Sequence, residues 1–207
     1  MQTLVEREIR TGERDGQPTK IAIVRRVYRT DQADLWNALT DAERIPRWFL
    51  PVSGSLEVGG RYQLEGNAGG VVERCDEPAS FAATWEFGGM VSWVEVNLSP
   101  AADGTLLELV HEAHVDQDMW AQYGPGAVGL GWDLALQAGL ARHIATGAAV
   151  DPAEGLAYPS TEEGREFVRR SADGWREAAI ADGDDPTAAA EAADRAFAAY
   201  TTAPPQE

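Results

Sequence analysis

The stretch RYQLEGNAGGVVERCDEPASFAATWEFGGMVSWVEVNLSPAADGTLLELVHEAH, residues 61–114, decides the fold. Its apolar residues recur at every second position, and the alternating runs are broken by turn formers. The runs are RYQLEG (61–66), GVVERC (70–75), SFAATWEF (80–87), SWVEVNLS (92–99) and TLLELVHEAHV (105–115). Between them stand Asp76-Glu77-Pro78, Gly88-Gly89 and the turn PAADG. A period of two with hairpin-length connections predicts an antiparallel meander, because parallel strands need crossovers of a dozen residues or more. A preceding strand, SLEV (55–58), is expected to join it through Gly59-Gly60.

Alternation also assigns faces. Phe81, Ala83, Trp85 and Phe87 share one side, as do Val94, Val96 and Leu98 on the next strand. Leu107, Leu109, His111 and Ala113 fall in one register, and Tyr62 and Leu64 in another. A curved sheet with one aromatic-rich face needs a cover. Residues 127–146 predict a helix about 30 Å long, at ~1.5 Å per residue, which suits that role.

Upstream, TLVEREIR (3–10) and IAIVRRVY (21–28) read as strands around a turn at Asp15-Gly16. Asp31 precedes a short helix, LWNALT, and Asp41 caps a second, AERIPRWF, limited by Pro46. Downstream, 147–160 is rich in Gly, Pro and Ala and reads as a linker before helices at 161–181 and 186–200. The expected organisation is a core domain over 1–149 and a helical extension over 150–207. Only Asp133 and Arg142 are charged between 127 and 146, so both faces of that helix should be buried. Stripes at Val168, Ala172, Trp175 and Ala179, then Ala189, Ala193, Phe197 and Tyr200, offer a cover for its outer side. The rival is a homodimer whose partner covers that side.

The net charge is −17, with one lysine, Lys20, and sixteen arginines. Such a surface repels nucleic acid and anionic membrane at long range. No apolar run approaches the ~20 residues of a membrane span, and MQTLVEREIR lacks the layout of a secretion signal, so a cytoplasmic location is expected. The single cysteine, Cys75, excludes an internal disulfide.

The segments VYRTDQADLWNALTDAERIPRWF (27–49), VGGRYQLEG, GVVERCDEPASFAATWEF, GTLLELVHEAH and GWDLALQAGLARHI (131–144) resemble the Hsp90-ATPase-activator-like branch of the START/Bet v 1-like superfamily. The resemblance covers about residues 20–146, and its most specific parts run from Trp36 to Trp48 and from Gly131 to Leu136. It implies an α+β helix-grip fold, a curved antiparallel sheet wrapped around a long helix with an internal cavity. It does not imply one activity, since the superfamily includes lipid carriers, hormone receptors, polyketide cyclases and co-chaperone domains.

The ligand-binding candidates on inward registers are Trp48, Tyr62, Leu64, Phe81, Trp85, Phe87, Val94, Leu109, His111, Trp132 and Leu136. Trp120, with Tyr123, is expected at an entrance before the long helix. His111 reads either as a satisfied core histidine or as a group that orients a ligand or moves a proton. An acid/base role needs a second ionisable group facing it, for which Glu65, Glu73 and Arg74 are candidates.

Other chemistries lack their parts. His111 and His114 point to opposite strand faces, so zinc would lack its ~4 converging ligands. No serine sits in a G-x-S-x-G elbow. Gly124-Pro125-Gly126-Ala127-Val128-Gly129 matches G-x-G-x-x-G, but no parallel strand follows the helix as a dinucleotide fold requires. Those glycines are read as a flexible start to the long helix and a gate to the cavity, and no cofactor or metal is expected. Three functions stay open: a binder of a small apolar molecule, a co-chaperone module with a chaperone partner, and a cyclase- or dehydratase-like enzyme using His111.

Overall fold

The computed structural model describes residues 5–202. Eight antiparallel strands form one sheet in the order β1-β2-β8-β7-β6-β5-β4-β3. β1 (Val5–Arg14) and β2 (Gln17–Tyr28) make a long hairpin closed at Asp15 and Gly16, both with positive φ. Thr3 and Leu4 of the expected first strand lie outside the described residues. β5 (Gly69–Asp76), β6 (Ser80–Phe87), β7 (Met90–Ala101) and β8 (Gly104–His114) are the meander that alternation predicts. Along β8 every second residue from Thr105 to His111 is buried, which is the pattern of a strand with one face on the core.

Two short elements differ from expectation. Residues 55–58 turn instead of forming a strand; the edge strand is β3 (Val52–Gly54), paired with β4 (Arg61–Leu64). Gly54 sits at φ +94 with its α-carbon against the Arg61 carbonyl, and the Ser55 amide donates to that same oxygen at 2.8 Å. The chain is thus folded back tightly before SLEV can extend. AERIPRWF yields only a single 3-10 turn, Ile45–Arg47, because Pro46 supplies no amide to carry a helix onward. Helix α1 (Gln32–Thr40) forms as expected, with the Asp31 side chain accepting from the Asp34 amide.

After α2 (Gln117–Tyr123), the long helix runs from Gly126 to Thr146 in three pieces. These are α3 (Gly126–Asp133), a π-helical segment (Leu134–Leu140) and α4 (Ala141–Thr146). The widened segment meets two neighbours. The Tyr28 hydroxyl donates to the Leu136 carbonyl at 2.8 Å, and Gly139 lies against the Trp48 carbonyl, where a β-carbon would come within 2.3 Å. The supposed linker holds a short helix, α5 (Pro152–Ala157), capped by Asp151, and a 3-10 turn.

The chain closes with α6 (Glu162–Ala181) and α7 (Pro186–Thr201). Val168, Ala172, Trp175 and Ala179 are buried, and the first three belong to the same hydrophobic core as Leu130, Leu136 and Leu107. α6 packs on β1 and α3, while α7 packs on α6, α2 and α3. The tail therefore meets the first part of the long helix; Leu134 and Ile144, farther along, are only half-buried.

The contact is polar as well as apolar. Asp133 is wholly buried and accepts from Arg7 Nε (2.8 Å), Trp175 Nε1 (2.9 Å), Gln137 Nε2 (3.1 Å) and the Ser171 hydroxyl. It ties β1, the long helix and α6 together at one carboxylate. The glycines of the G-x-G-x-x-G match serve the same junction. A β-carbon at Gly126 would come within 2.6 Å of Ala196, and one at Gly129 within 2.4 Å of the Trp175 ring. Gly124 takes φ +53 where α2 ends. These residues let α6 and α7 approach α3 closely, which replaces the reading of a flexible gate.

Candidate functional site

Between the concave face of the sheet and the long helix lies a cavity of about 270 Å³. Its floor is built by alternation. Phe81, Ala83 and Trp85 come from β6, Val94 and Val96 from β7, and Leu107 and Leu109 from β8. β4 adds Tyr62 and Leu64, and Trp132 and Leu136 of the long helix form the roof. Trp36 and Leu39 of α1, and Ile45, Trp48 and Phe49 from the turn after it, close one side.

The rings run in a connected series. Trp48 stacks on Phe49 (5.4 Å between centroids), Phe49 lies 6.4 Å from Trp132, and Trp132 lies 4.9 Å from Trp85. Trp36 meets Phe81 edge-on at 6.0 Å. Polar groups in the lining are few. The Tyr62 hydroxyl already donates to the Thr84 carbonyl at 2.7 Å and the Thr40 hydroxyl to the Trp36 carbonyl at 2.8 Å, leaving the side chains of Cys75 and Glu77.

Cys75 faces the cavity because of a β-bulge. Val72 pairs with Ala83, but Arg74 pairs with Ala82 and Cys75 with Phe81, so Glu73 is the extra residue. Without the bulge, Arg74 would follow Val72 inward two positions on. With it, Arg74 turns away to Ser80 (2.7 Å) and Glu95 (3.1 Å). Strict alternation in the sequence hides this shift, which is why neither Cys75 nor Glu77 stands out there.

His111 sits beside the lining and is 4% exposed. Its Nδ1 accepts from Trp132 Nε1 at 2.9 Å, and an indole can only donate, so the ring proton resides on Nε2. That nitrogen donates to the Ser92 hydroxyl at 2.8 Å, which in turn donates to the Trp85 carbonyl at 3.1 Å. Burial pushes the His111 pKa down to about 4, so the ring is neutral at physiological pH. Both nitrogens are occupied, and Glu65, Glu73 and Arg74 make no hydrogen bond to it. The arrangement fixes the Trp132 indole in the roof.

Two expected site residues lie elsewhere. Phe87 is 55% exposed at the end of β6, beyond the cavity rim. Trp120 donates from Nε1 to Asp184 at 2.8 Å and carries the Lys20 ammonium over its ring, so it belongs to the junction between α2 and the C-terminal helices. Among the described residues no group of three or more His, Cys, Asp or Glu is placed to hold a metal ion, and no helix is long and apolar enough to cross a membrane.

A family model for Activator of Hsp90 ATPase homolog 1-like proteins matches residues 29–145. No curated protein matches the chain. CalU16 from Micromonospora echinospora is similar in its crystal structure at 30% identity, with a TM-score of 0.66, over 87% of this chain and 99% of that one. Its solution structure gives 32% identity and a TM-score of 0.69, over 87% and 97%. PFC0360w, an HSP90 activator from Plasmodium falciparum, shares the fold at 21% identity and a TM-score of 0.52, over 62% of this chain and 96% of that one. The likeness to CalU16 extends past the family segment into the remainder of the chain. From the sheet order, the long helix across its concave face, and these matches, the chain belongs to the Activator of Hsp90 ATPase homolog 1-like family, within the START/Bet v 1-like superfamily.

Proposed function

We propose that the protein binds a small apolar or aromatic molecule in the cavity between sheet and long helix. The observation that carries this reading is the aromatic lining around about 270 Å³ of space. That volume lies near the lower end of ligand sites, ~300–1,000 Å³. An apolar cavity of ~150 Å³ accepts benzene, so this one suits a ligand of one or two fused rings. A solid core would have left no such room, since interiors normally pack with few voids larger than water.

Trp85 and Trp132 form the wall against which the ligand lies, and His111 holds Trp132 in place rather than performing acid/base chemistry. A chaperone partnership rests on family membership and on the name of the Plasmodium falciparum neighbour, without a matching surface feature. An apolar fluorescent probe tests the main reading. Binding should be saturable, and Trp85→Ala should weaken it about tenfold, the loss of ~1.5 kcal/mol of buried ring contact. Full-strength probe binding in that variant, with the far-UV spectrum of the wild type, would remove the cavity as the site.

A further inference from the structure

The cavity also carries a charge preference. We infer that its ligand is an aromatic molecule bearing a basic amine or quaternary ammonium group, seated with its rings against the aromatic lining and the cation at the Glu77 rim. This deepens the cavity-binding proposal above and rests on it.

Three observations converge on a cation. Among the described residues the lining contains Glu77 as its only charged residue and no Lys, Arg or His. The β-bulge at Glu73 is what keeps it so, because it turns Arg74 out of the register that would otherwise face the ligand. The walls are aromatic, and ring faces carry negative potential that attracts ammonium groups within ~6 Å of a centroid. At the rim, Cys75 pairs with Phe81, Phe81 meets Trp36 at 6.0 Å, and Glu77 follows two residues on. A cation there would have a carboxylate on one side and aromatic rings on the other.

The surroundings act in the same direction. The chain's net charge is −17, which draws cations toward the rim and repels carboxylates. An anionic ligand, such as a fatty acid, would meet no positive group in the lining to offset its desolvation. The cavity should therefore discriminate by charge among molecules of the same shape.

The test uses three probes that share one ring system: 1-naphthylmethylamine, 1-methylnaphthalene and 1-naphthoate. Occupancy is read in two ways, by quenching of tryptophan fluorescence and by protection of Cys75 from methyl methanethiosulfonate, which reacts with thiols and not with the amine probe. Because Cys75 is the only cysteine and is exposed at the rim, its modification reports on this site alone. The expected order is cation, then neutral, then anion, with about tenfold between the cation and the neutral probe. Glu77→Gln should erase most of that advantage and leave the neutral probe unchanged. Equal binding of the three, or an anion preference, overturns the charge inference while leaving the cavity as a binding site. Failure of all three to protect Cys75 overturns the cavity reading, and the inference with it.

Discussion

His111 makes the protein's stability depend on pH between about 4 and 6.5. In the folded chain burial lowers its pKa to about 4, whereas an unfolded histidine titrates near 6.5. Between those values the unfolded chain binds a proton that the folded chain refuses. Stability therefore rises with pH across the window, and it falls as the solution is acidified from about pH 7 towards pH 4. At about 1.36 kcal/mol per pKa unit, the full effect is about 3 kcal/mol, of which roughly 2 kcal/mol is lost by pH 5. That is a large part of the ~5–15 kcal/mol typical of a domain. The physical cost is concrete: protonating Nδ1 would destroy the acceptor for the Trp132 indole and place a charge in an aromatic wall. Urea unfolding at pH 8, 6.5 and 5 measures it, with His111→Gln as the non-titrating comparison. Glu8, Asp34 and Asp182, whose pKa values are lowered by their hydrogen-bonded cationic partners, lose their contributions only at lower pH, and equally in both proteins. Wild type should lose about 2 kcal/mol more than the variant between pH 8 and pH 5. Parallel loss in the two proteins would refute the buried, neutral assignment.

Asp133→Ala should destabilise the fold by about 3–5 kcal/mol, since Arg7, Ser171 and Trp175 lose their shared acceptor; a change in denaturation midpoint checks it, and an unchanged midpoint would dismiss the carboxylate as a tie. Gly129→Ala places a β-carbon 2.4 Å from the Trp175 ring, so overpacking of ~1–3 kcal/mol should exceed the ~1 kcal/mol gained in helix propensity. Gly155→Ala, with 3.6 Å of room, should be neutral or stabilising, and the same melting shift in both variants would contradict the close-packing account. Truncation after Ala149 removes Trp175 and Ala196 from α3 and should give an unstable or self-associating protein. A monomeric truncated chain with an unchanged Tm would show that the tail covers nothing essential.

The sequence by itself determined the strands of the hairpin and the meander, though not the edge strand β3, because a period of two declares which residues share a face, and it determined α6 and α7 from the spacing of their apolar stripes. It also placed Phe81, Trp85, Val94, Leu109 and His111 on one side of the sheet, and the structure seats the first four in the cavity lining with His111 directly behind. The tertiary structure alone decided the rest, since periodicity says which way a side chain points but not what it meets. One extra residue at Glu73 reverses the register and brings Cys75 inward. Phe87 keeps the correct face yet runs past the rim, and Trp120 is drawn instead to Asp184 and Lys20. Asp133 reads only as one of two charges on the long helix, but α6 and β1 converge on it and bury it among its donors. Gly126 and Gly129 read as flexibility, and only the approach of Ala196 and Trp175 reveals that what those positions require is the absence of a side chain.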